Sequence, residues 1–134
     1  MKNWSKKVHV QSSLESKPNQ YAMFIGRWQP LHDGHKALFQ QALGEDKKIW
    51  IAIRNIAPDE KNPWTAEEVL SNITNEYKEL CSQGTVKVSI IPDICSIEFG
   101  RGVGYDIIEH TPPQEIHDIS ATKVREQMRK EGKL

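Results

Sequence analysis

Cysteine is scarce in this chain: Cys81 and Cys95 are the only two in 134 residues, and they stand in no CxxC spacing. That argues against a disulfide scaffold and fits a reducing, cytoplasmic setting. Long apolar runs are missing as well, since nothing approaches the roughly 20 residues that span a bilayer. Residues 1–20 are polar and contain no apolar signal core. Net charge is absent, with 18 Lys+Arg against 18 Asp+Glu. A neutral balance gives no general electrostatic hold on nucleic acid or on a membrane surface, and neither is expected as a partner. Internal repeats and low-complexity segments are also lacking. What remains is a length that suffices for one domain with one core. The expected organisation is a polar tail or edge element over 1–20 and a single domain over 21–134.

Within that domain, apolar runs alternate with helical spacing. Residues 21–25, 48–53 and 86–91 read as buried strands, the last stopped by Pro92, and 105–108 is a fourth candidate. Helical patterning covers 34–43, where Leu38 pairs with Ala42 and Phe39 with Leu43 on shared faces, with Gly44 as the stop. Thr65-Ala66-Glu67-Glu68 has the spacing of a capping box. The helix it starts should bury Val69, Ile73, Tyr77 and Leu80. A last helix runs from 120 to about 129, with Val124 and Met128 inward. Strand–helix alternation predicts an α/β fold: a Rossmann-like three-layer sandwich with a mostly parallel sheet of four to five strands. Residues 96–104 read as a loop or one short turn, because about a dozen residues are barely enough for a parallel crossover.

The chemistry gathers where the first strand meets the first helix, at Gly26-Arg27-Trp28-Gln29-Pro30-Leu31-His32-Asp33-Gly34-His35. His32 and His35 lie one turn apart at a helix start, where free backbone N–H groups and the positive end of the dipole favour an anion. Three readings stand for the pair: two metal ligands, packing or capping groups, or phosphate contacts. Zinc sites want three or four ligands, and no third is visible at a recognisable spacing.

His32-Asp33-Gly34-His35 is similar to the HxGH signature of the nucleotidyltransferase superfamily. The wider Gly26-Arg27-Trp28-Gln29-Pro30 resembles the GRFQP form of archaeal-type nicotinamide mononucleotide adenylyltransferases and their small relatives. Ile119-Ser120-Ala121-Thr122-Lys123-Val124-Arg125 is similar to that superfamily's ISxTxxR, which opens the last helix. Asn62-Pro63-Trp64-Thr65-Ala66-Glu67-Glu68 and Ile91-Pro92-Asp93-Ile94 look like weaker segments of the adenylyl branch, and the likeness runs over 21–130. The resemblance implies that His32, His35 and Arg125 carry the reaction. It also implies that Gly26, Arg27, Trp28, Gly34, Ser120 and Thr122 line the nucleotide. Their work would be alignment and charge stabilisation, with the nucleophile an already anionic phosphate that needs no general base. Magnesium would accompany the triphosphate, with no protein ligand to it expected.

The remaining candidates are weaker. Arg54 ends the second strand on the same edge and could meet an acceptor phosphate. Trp64 could stack on a ring or staple the helix start. Arg101, in Gly100-Arg101-Gly102-Val103-Gly104, could contact an acceptor from a loop that has neither GxGxxG nor GxxxxGK spacing. Arg129 and Lys130 read as a solvated basic face, and His9, His110 and His117 as isolated surface histidines. The reading is a nucleotidyltransferase that moves a nucleoside monophosphate, AMP in preference to CMP, from ATP or CTP to a small phosphorylated acceptor and releases pyrophosphate. The chain is shorter than typical nicotinamide mononucleotide adenylyltransferases and comparable to glycerol-3-phosphate cytidylyltransferase, which is the alternative. A catalytically silent nucleotide-binding module and an interaction module are rival readings. A homodimer with an edge contact at Trp4, Val8 and Val10 stays open.

Overall fold

The computed structural model describes residues 5–9, 20–100, 105–117 and 120–133. The order of elements is β1 (Ser5–His9), β2 (Tyr21–Gly26), α1 (Asp33–Leu43), β3 (Lys48–Asn55), α2 (Ala66–Glu76), α3 (Lys78–Ser82), β4 (Val86–Pro92), β5 (Ile107–His110), α4 (Gln114–His117) and α5 (Ala121–Lys130). The fold is α/β and Rossmann-like in its β2–β4 unit, a parallel three-stranded sheet in the order β2-β3-β4. Phe24 lies opposite Ile51, and Ile51 opposite Val88. β3 is the central strand, and the alternation of its side chains decides the core. Ile49, Ile51 and Ile53 are at most 1% exposed and pack with Phe39 and Ala42 of α1 and Ala66, Val69 and Ile73 of α2. Burial of each such isoleucine contributes on the order of 1.5–3 kcal/mol.

Two expectations change. α1 and α2 both pack on the isoleucine face of β3, so among the described residues the β2–β4 unit shows two layers where three were expected. The reason is topological: successive right-handed crossovers that step in one direction across a sheet lay their helices on the same side. The opposite face carries Tyr21 and Met23, 40% and 43% exposed, beside a half-buried Trp50. Lys48 and Lys87 reach over the Tyr21 and Trp50 rings at 5.9 and 5.2 Å, and the Trp50 indole N–H donates to Ser89 Oγ at 2.7 Å.

The strand expected at 105–108 appears as β5, and it does not join the parallel sheet. It pairs antiparallel with β1, Ser5 opposite His110. An antiparallel partner needs no crossover helix, which removes the difficulty of the short connection. His110 is therefore no isolated surface group: its Nδ1 is 2.7 Å from Ser5 Oγ, and its ring stacks on Phe24 at 5.8 Å. The side chains of His9 and His117 lie outside the described residues. Residues 96–100 form no regular element, and Arg101 to Gly104 lie outside the described residues.

The helices start as their sequences dictate. Thr65 Oγ1 accepts from Glu68 N at 3.1 Å while Glu68 Oε1 accepts from Thr65 N at 3.2 Å, closing the capping box. The helix expected to run on through Leu80 is interrupted at Tyr77 (φ −107°, ψ 28°), whose ring packs edge-on to Phe39 at 6.0 Å. α3 continues beyond the break and returns Leu80 and Cys81 to the core margin.

Candidate active site

β2 ends at Gly26, and the next three residues turn the chain sharply over the sheet edge. Trp28 adopts φ 53°, a left-handed conformation that costs a bulky residue about 1–2 kcal/mol. The ring holds it there: its indole N–H donates to Ala52 O at 3.1 Å, and it meets Phe39 at 5.1 Å and His35 at 4.9 Å, edge to face in both cases. Gly26 makes this possible, because a Cβ at that position would stand 2.9 Å from the indole. Trp28 is thus part of the core, 8% exposed and braced against the His35 ring.

The histidines cap α1 reciprocally. His32 Nδ1 accepts from Gly34 N at 3.0 Å and from His35 N at 3.3 Å, and His35 Nδ1 accepts from His32 N at 3.3 Å. The rings stack at 3.6 Å. A ring nitrogen that accepts cannot carry a proton, so both neutral imidazoles hold theirs on Nε2. Neither Nε2 has a partner among the described residues. Burial pushes the His35 pKa down to about 3, with His32 adding to the shift, and burial lowers His32 against the pull of Asp33. At neutral pH the pair is two uncharged N–H donors standing on the N-terminus of a helix.

Gln29 joins this segment to the rest of the molecule. Its buried amide pairs with the Trp64 backbone in both directions, Nε2 to O at 2.8 Å and Oε1 from N at 3.1 Å. Its carbonyl accepts from Arg125 Nη1, and Arg125 Nη2 lies 3.4 Å from Thr122 Oγ1. Arg125 is 6% exposed. Burial, then the positive charges of Arg129 and Arg27, lower its pKa, and Asp59 opposes them. Ser120 caps α5, its Oγ accepting from Lys123 N at 3.1 Å.

The structure brings Gly26, Trp28, His32, Gly34, His35, Thr122 and Arg125 together around the β2–α1 turn, and Ser120 opens the helix that supplies Arg125. Arg27 points to the loop after β3, with Nη2 at 3.4 Å from Ala57 O and Nη1 at 3.8 Å from Asp59 Oδ2. Trp64 meets the site through its backbone. Arg54 is occupied: Nε and Nη2 lie 3.0 and 2.8 Å from Asp93 Oδ1. Arg101 is outside the described residues. Three participants were not singled out from sequence. Gln29 lies inside the motif itself. Asp59 is marked by the Asp59-Glu60-Lys61-Asn62-Pro63 turn composition. Arg129, assigned there to a solvated face, donates to Glu60 O at 2.6 Å.

Two curated proteins resemble the chain in sequence. The chain is 32% identical over 114 residues to a nicotinamide-nucleotide adenylyltransferase of Methanococcus aeolicus, covering 83% of this chain and 63% of that protein. It is 39% identical over 62 residues to a nicotinamide/nicotinic acid mononucleotide adenylyltransferase of Acinetobacter baylyi, covering 42% of this chain and 33% of that protein. The chain therefore spans between one third and two thirds of the length of these curated relatives. No family model matches, and no solved structure matches. The likenesses support kinship with nucleotidyltransferases.

Proposed function

We propose that this protein transfers a nucleoside monophosphate, AMP in preference to CMP, from a nucleoside triphosphate to a small phosphate-bearing acceptor, releasing pyrophosphate. The observation that carries the proposal is the joining of the HxGH and ISxTxxR segments through Gln29, which sets two Nε2–H donors and a buried guanidinium about one turn of chain. The adenylyltransferase names of both relatives support the nucleotide assignment.

The chemistry follows from the groups present. Attack by an acceptor phosphate oxygen on the α-phosphorus builds negative charge on the equatorial oxygens and on the departing pyrophosphate. The His32 and His35 N–H groups and the α1 N-terminus would stabilise that charge without a reorganisation step. Arg125 would bind phosphate oxygens through the N–H groups not spent on Gln29 and Thr122. The acceptor phosphate is ionised at neutral pH, so no residue has to remove a proton. Magnesium would accompany the triphosphate on phosphate oxygens and water, supplying charge neutralisation.

Pyrophosphate release measured with ATP and CTP across a panel that includes nicotinamide mononucleotide and glycerol 3-phosphate tests the proposal. Turnover with a phosphorylated acceptor is expected, and His35→Ala should lower it by about a hundredfold. Tight triphosphate binding with no productive acceptor would replace it with a regulatory module. Binding of neither nucleotide would favour an interaction module.

A further inference from the structure

The loop from Ile56 to Trp64 is held from the β2–α1 turn and from α5. Arg27 reaches Ala57 O and Asp59, Arg129 Nη2 donates to Glu60 O at 2.6 Å, and the Gln29 amide grips the Trp64 backbone. Asp59 divides its carboxylate between two tasks. Oδ1 accepts from Lys61 N at 2.9 Å and Asn62 N at 2.7 Å and so shapes the turn. Oδ2 stands 3.8 Å from Arg27 Nη1, beyond hydrogen-bond length. Arg27 is itself underused: its Nε is buried and has no hydrogen-bond partner among the described residues. Two loose contacts and one orphaned donor are an incomplete environment for a guanidinium that is only 20% exposed.

We propose that Asp59 is a resident counter-charge, whose carboxylate holds beside Arg27 the position that a phosphate oxygen of the triphosphate takes, and that loading the nucleotide displaces it. The inference rests on the nucleotidyltransferase reading and adds to it a residue that opposes binding. An anion reaching Arg27 would satisfy the orphaned Nε, which Asp59 from its own turn does not. Arg125 feels the same carboxylate, whose charge opposes the depression of its pKa by Arg27 and Arg129. Asp59 thus neutralises part of a cluster of three arginines that would otherwise repel one another in the empty site.

Asp59→Asn tests this, because asparagine keeps the Oδ1 acceptor of the turn and removes only the charge. Wild type, Asp59→Asn, Arg27→Gln and the double variant are titrated calorimetrically with inorganic tripolyphosphate, ATP and CTP, with and without magnesium. Asp59→Asn is expected to tighten tripolyphosphate and the preferred nucleotide by about two- to fivefold, the range for release of an exposed pair. That gain should vanish when Arg27 is glutamine. Unchanged or weaker binding by Asp59→Asn would overturn the proposal, and weakening confined to magnesium would make Asp59 a metal-side group instead. Those results leave the transferase reading intact if wild type binds nucleotide. Failure of wild type to bind any of the three ligands would end both.

Discussion

At the scale of single residues, the site is built from groups whose roles come from their neighbours. Gly26 matters because the Trp28 ring lies across it. Gly26→Ala drives a methyl group into a buried indole and should destabilise the protein by about 1–3 kcal/mol, read as a lower midpoint of thermal unfolding. His35 gives a pH signature with a definite sign. Its pKa falls from an ordinary 6.5 to about 3 on folding, so between those values the unfolded chain binds the proton and the folded chain does not. Stability is therefore fully present above about pH 6.5 and declines as pH drops toward about 3. Thermal unfolding followed from pH 7.5 down to 4.5 should show this decline, and His35→Asn should flatten it. The histidine spacing was legible in the sequence. That each ring uses Nδ1 to cap the other's backbone, leaving two neutral Nε2–H donors, was not, because it depends on rotamers that the Trp28 edge fixes.

At the scale of elements, the β2–α1 turn and α5 form one unit although nearly a hundred residues separate them in sequence. Arg125 joins them by spanning Gln29 O and Thr122 Oγ1. A lysine offers a single ammonium and cannot hold both partners while presenting a fork to phosphate. Arg125→Lys should raise the apparent KM for the triphosphate by about tenfold or more, the loss of one charge-assisted contact. It should also lower the melting temperature, because the Gln29 carbonyl loses its charged donor. Steady-state kinetics with thermal unfolding of the same preparation check both. Helix starts were readable because capping is local: Thr65 with Glu68, and Ser120 with Lys123 N, behave as their spacing requires. The break at Tyr77 was not, since Val69, Ile73, Tyr77 and Leu80 keep one helical period across it, and only the backbone angles reveal two helices.

At the scale of the whole molecule, the parallel sheet among the described residues has three strands and β5 pairs elsewhere. β5 is four residues long and finds its ladder partner in β1, while His110 ties the pair to Phe24. A two-stranded ribbon is marginal by itself. Deleting residues 1–9 should therefore lower the unfolding midpoint by about 5–10 °C and promote association through the bared β5 edge. Triphosphate affinity should survive, because β1 pairs with β5 and the Gln29 and Arg125 hydrogen bonds of the site join the β2–α1 turn, the loop after β3 and α5. Calorimetry and light scattering on the truncated chain check stability and association, and nucleotide titration checks the site. The sheet face opposite α1 and α2, with Tyr21 and Met23 exposed, follows from the same topology.

Sequence alone determined what is local in its physics. Apolar runs set β2, β3 and β4, caps set the starts of α2 and α5, and the His32–His35 spacing put two imidazoles one turn apart at the start of α1. Tertiary structure decided what depends on distant partners. It made Gln29 the joint between two motifs, bound Arg54 to Asp93, gave β5 to β1 and placed the Asp59 carboxylate against Arg27. The division has one cause: periodicity and capping act over a few residues and are written in order along the chain, whereas buried polar groups and strand edges take whatever partner the fold brings within reach.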